Sequence, residues 1–123
     1  MKRSPARSRP DKLPTPPEAY SAFIARYPRL GEAWEKISEA GAGGPLDERT
    51  CRLVKLGIAI GAMREGAIRS SVRKAQAIGL ERQAIEQVVA LAAGTLGLPS
   101  TVAVYSWTRG LLAARRRQGA RAR

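Results

Sequence analysis

Between Leu53 and Met63 the chain carries one charged residue, Lys55. Leu53, Leu56, Ile60 and Met63 recur at helical spacing, and Val54 and Ile58 widen the same face, so the stretch predicts a buried central helix. Asp47 is placed to cap it, accepting a hydrogen bond from the unpaired N–H groups of the first turn. Glu48 beside it suits the positive end of the helix dipole. A turn over Arg64 to Gly66 should follow, then a second helix to Ile78, with Gly79 as the stop. At about 100° per residue, Arg64, Ile68, Ser71 and Ala75 share one face of that helix and Arg69, Arg73 and Gln76 share another. Arg64 and Ser71 are therefore expected to point inward, with Glu65 at the edge. A charged or hydroxylic group on an apolar face either finds a buried partner or lines a pocket.

The remaining segments have the same period. Thr15-Pro16-Pro17-Glu18 reads as a capping box with proline at the first helical position. Tyr20, Phe23, Ile24 and Tyr27 form the inward face of a first helix, which Pro28 ends or kinks. Leu30, Trp34 and Ile37 line a second, and Gly41 to Pro45 is a connection. Ile85, Val88, Val89, Ala92 and Leu96 repeat as a core-facing helix. After the break at Gly97-Leu98-Pro99, a last helix carries Val104, Trp107, Thr108, Leu111 and Leu112. No useful strand alternation appears. The expected fold is all-α, about six helices, with residues 1–14 a basic leader, 15–113 one domain and 114–123 a basic tail.

A chain of 123 residues can bury roughly two-thirds of its unfolded surface in one domain. No apolar run approaches the ~20 residues that cross a bilayer, so a soluble cytoplasmic protein with no membrane partner is expected. The net charge of +12 is unevenly spread. Residues 1–14 contribute five basic and one acidic residue, residues 109–123 contribute six arginines and no acid, and the body between holds eleven basic and nine acidic residues. Arg-rich ends with so little to bury are expected to fray. They serve either as solubilising ends or as contacts for nucleic acid or another acidic partner.

There is no histidine, and Cys51 is the single cysteine. An intramolecular disulfide, a Cys/His metal site and a dithiol cycle within one chain are thereby excluded. No cofactor is implied.

The order LDERTCRLVKLGIAIG, EGAIRSSVRKAQAIGL, AIEQVVALAAGTLGLPSTVAVYSW, with its LxxAxxxxGxP rhythm, resembles the carboxymuconolactone decarboxylase family, which includes the alkylhydroperoxidase-D-like proteins. The resemblance runs from about Leu46 to Leu112. It implies a helical fold, a homo-oligomer (trimer or hexamer), and nominally peroxide reduction (a peroxiredoxin-type, antioxidant activity) or chemistry on a small carboxylated substrate. In the redox branch a Cys-x-x-Cys pair begins the second helix, a His follows four residues after the second Cys, and a Glu lies about three turns upstream. Those places fall here on Arg64 and Ala67, on Ser71, and on Arg52.

Three residues are candidates for chemistry. Glu65 could act as a general acid or base, though with Arg69 it also forms an ordinary i, i+4 pair. Ser71 has no triad companion. Cys51 stands in the first turn of the central helix near Arg49 and Arg52, where a thiol can be activated, against the commoner role of a small buried hydrophobe. Arg52, Arg64 and Arg69 are candidates for holding a small anion. Trp34, Tyr105 and Trp107 suit a pocket, a subunit interface or a core. Two functions compete: an enzyme-class member of that family without its dithiol and His, and a non-catalytic oligomer whose basic tails bind an acidic partner.

Overall fold

The structure, a computed structural model, describes residues 16–122, with side chains from 18 to 113. Every element among them is a helix: six of ten or more residues and one single turn. The chain divides after Gly44 into two compact units.

The first unit is a pair, α1 (Pro16–Arg26) and α2 (Pro28–Ala42). Pro16 opens α1 as the capping pattern predicts, while Thr15 itself lies outside the described residues. Pro28 lacks an N–H and separates the helices at Tyr27, whose backbone leaves the helical region (φ −131°, ψ 73°). The helices approach closely where Ile24 crosses Gly31: a Cβ at Gly31 would stand 2.6 Å from Ile24 Cγ2. The stripe expected to be inward is not buried. Tyr20, Phe23, Tyr27, Leu30, Trp34 and Ile37 are each about half exposed or more.

The second unit holds α3 (Glu48–Gly61), α4 (Glu65–Ala77), α5 (Arg82–Leu91), the single turn α6 (Ala93–Leu96) and α7 (Leu98–Ala122). Its core joins Leu56 and Ile60 of α3, Ile68, Val72 and Ala75 of α4, Ile85 and Val89 of α5, and Val104, Thr108 and Leu112 of α7. Thr108 is fully buried yet satisfied, because its hydroxyl donates to the Tyr105 carbonyl at 3.1 Å. Asp47 caps α3 as expected, its Oδ1 accepting the Thr50 N–H at 2.8 Å. That bond, with the Thr50 hydroxyl next, holds the Asp47 carboxyl below its usual value. Gly79 stops α4 at φ +86°, and the Leu80 N–H reaches back to the Ala75 carbonyl.

Three expectations are corrected. Met63 is no core residue of α3: it stands past the helix end at φ +55°, with the Arg64 N–H bonded to the Ala59 carbonyl, the place glycine usually takes in such a stop. Val54 and Ile58 are exposed, because α3 buries only the stripe of Leu56, Ala59 and Ile60. Finally, residues 109–122, expected to fray, continue the helix of α7.

Candidate functional site

Arg64 is the residue before α4 and is exposed, so it does not point inward. It is the N-cap, with extended backbone outside the helix, while within α4 Ile68, Val72 and Ala75 form the buried stripe. Ser71 falls beside that stripe and is half-buried. Glu65 and Arg69 do meet, at 2.8 Å, as an i, i+4 pair on an exposed face. Such a pair contributes a few tenths of a kcal/mol, and it occupies Glu65 with a neighbour on its own helix.

Cys51 and Arg52 lie at the opposite end of α3 from this corner. From Arg52 to the end of α3 at Gly61 the axis rises about 14 Å, and Arg64 lies beyond that end. The structure therefore does not gather Arg52, Arg64 and Glu65 at one place. Cys51 is half-buried, its Sγ–H directed at the Leu46 carbonyl at 3.6 Å.

A groove lies elsewhere in the second unit. It has a volume of about 650 Å³ and runs between α3 and the α5–α6 segment. Leu53, Val54 and Gly57 wall one side, and Val88, Leu91 and Leu96 the other. The helices approach at Gly57, where a Cβ would meet Val88 Cγ1 at 3.9 Å. One ionisable side chain reaches the lining, Arg49, and it is held by Glu81 at 2.6 Å. This ion pair is also the main reason the Glu81 carboxyl lies below its usual value. With Thr50, Gln87 and Thr95 as its remaining polar residues, the groove offers apolar surface and no acid, base or nucleophile. Sequence reasoning missed it. The signal was present in Leu53 and Val54, which were assigned to burial in the core.

The carboxymuconolactone decarboxylase family model matches residues 28–110. The chain belongs to that family. The match begins at Pro28 and ends within α7, so α2 as well as most of the second unit falls within the carboxymuconolactone decarboxylase region, which starts earlier than the resemblance read from Leu46. No curated protein and no solved structure matches the chain. No helix among the described residues is long and apolar enough to cross a membrane.

Proposed function

We propose that this chain is a non-peroxidatic, self-associating member of the carboxymuconolactone decarboxylase family that works by binding an acidic partner. The observation that carries the loss of chemistry is the start of α4. On the register of the redox branch, the two thiol positions are Arg64 and Ala67 and the imidazole position is Ser71, half-buried one and a half turns into α4. None of these side chains can pass two electrons to a peroxide or shuttle a proton at neutral pH. The one thiol stands near the start of α3, roughly 15 Å along the helix from its far end, beyond which Arg64 lies. No second thiol of the same chain can resolve an oxidised Cys51.

Self-association is supported by apolar surface the monomer leaves open. Ile58 and Leu91 are 66% and 70% exposed, and the α1–α2 stripe adds two tyrosines, Phe23 and Trp34. Faces of this kind are characteristic of interfaces. A trimer or hexamer is the arrangement the family resemblance implies. Binding of an acidic partner is supported by the charge: the carboxylates of α4 and α5 are spent on Arg69 and Arg82, while Arg52, Lys55, Arg64, Arg73, Lys74 and Arg109 have no carboxylate partner among the described residues. Anion capture by Arg52 or Arg64 would be two separate contacts, not one pocket.

Light scattering and retention on a polyanion matrix, with peroxide consumption measured in parallel, test this reading. An oligomer retained at low salt and silent toward peroxide is expected. A monomer that turns over peroxide contradicts it.

A further inference from the structure

Helix α7 leaves one apolar stripe uncovered. Leu98, Val102 and Tyr105 recur on it at i, i+4 and i+7, a single face of a helix. They are 67%, 53% and 39% exposed, although Val104 and Thr108 of the same helix are fully buried. With Ala90 and Ala93 of α5 they line a groove of about 410 Å³, distinct from the one between α3 and the α5–α6 segment. Glu86, the one charged residue in its lining, is held by Arg82 at 2.9 Å. The cations without a carboxylate partner among the described residues lie mostly elsewhere: Arg52 and Lys55 on α3, Arg64 before α4, and Arg73 and Lys74 on it. Arg109 follows Tyr105 by about one turn and bounds the stripe.

We propose that this face of α7 is a contact with a second copy of the chain, in which the two α7 helices run antiparallel about a two-fold axis at Val102. The proposal rests on the self-association reading and names a surface for it. Charge selects both the occupant and the direction. At a net charge of +12, two copies repel each other wherever free cations meet, and this stripe brings none to its centre. Residues 109–123 hold six arginines and no acid. A parallel pair would lay those ends side by side, whereas an antiparallel pair sends them to opposite ends. The two Arg109 residues then stand about 21 Å apart along the axes, well beyond the Debye length of about 8 Å at physiological salt. The stripe also fits itself. An axis at Val102 sets Leu98 level with Tyr105 of the second copy to within about 2 Å, so an aliphatic side chain meets a ring on either side of the Val102 pair, as an isologous contact requires.

The test is disulfide trapping in Cys51→Ala chains, which carry no other thiol. Residues 74, 98, 102 and 105 are all exposed, so a cysteine at any of them leaves the core untouched. Under mild oxidation of the full chain at micromolar concentration, Val102→Cys should give covalent dimer on the order of tenfold faster than Lys74→Cys on α4, because a disulfide needs Cα atoms about 4.4–6.8 Å apart. Leu98→Cys and Tyr105→Cys should each fail alone, their copies being about 12 and 9 Å apart along the axes, while a mixture of the two should yield the heterodimer. Light scattering on the unsubstituted chain is read beside the trapping. An oligomer in which Val102→Cys is trapped no faster than Lys74→Cys overturns this face and leaves self-association standing. Equal trapping at positions 98, 102 and 105 overturns the antiparallel direction. A monomer with no trapping overturns both readings.

Discussion

The Arg49 guanidinium lies 2.6 Å from the Glu81 carboxylate, joining the first turn of α3 to the residue that opens α5. With the Asp47 cap two residues earlier, it sets a pH dependence. Both carboxyls are held below their usual values of 3.8 and 4.5, Asp47 chiefly by the Thr50 N–H and Glu81 chiefly by Arg49. A depressed folded pKa contributes stability that is complete above the unfolded value and is lost as pH falls through the folded one. The melting temperature should therefore fall below about pH 4.5 for this reason. Asp47→Asn with Glu81→Gln should flatten that part of the profile, and an unchanged acid limb would refute the assignment.

Met63 holds a left-handed conformation that costs a side-chain-bearing residue roughly 1 kcal/mol. Met63→Gly should raise the midpoint of denaturant unfolding by about that amount. A lower midpoint would mean that contacts of the Met63 side chain outweigh the backbone strain.

Ser71 should tolerate change. It is half-buried beside the α4 core stripe, so Ser71→Ala should cost under about 1 kcal/mol. Ser71→His should be accommodated at the partly open edge. A loss above about 3 kcal/mol in denaturant melts, the range of severe overpacking, would show that no room for an imidazole persists.

The exposed wall of the groove should carry self-association. Leu91→Lys with Val54→Lys places charge on surface that is already open to water in the monomer, so folding should be little affected while assembly is impaired. Light scattering at micromolar concentration should show a smaller particle than wild type. An unchanged mass would move the interface away from this groove.

The helices were readable because their stops are chemically unambiguous: Pro28 at the α1–α2 break, Asp47 at the cap of α3, Gly79 after α4. The core stripes of α5 and α7 followed from the same periodicity, and Val89, Val104 and Leu112 are buried as it predicts. The candidate site was less legible. Ile68 and Ala75 are buried as the period predicts, but Arg64 falls outside α4 as its N-cap and Ser71 at the edge of the stripe, and periodicity carries no information about where the turn ends and the helix begins. Val54, which lines the groove, and Ile58, which is open to water, look like core residues in the sequence because an exposed apolar stripe has the same spacing as one facing a core.

The central claim, that the family's dithiol chemistry is gone from this chain, is tested most directly by following peroxide consumption in the presence of a dithiol reductant. Wild type and Cys51→Ala should both consume peroxide no faster than the reductant alone over many equivalents, with at most one equivalent taken up by the Cys51 thiol of each wild-type chain. Sustained catalytic turnover by either protein would contradict the account, and turnover that survives Cys51→Ala would show chemistry that none of the positions considered provides.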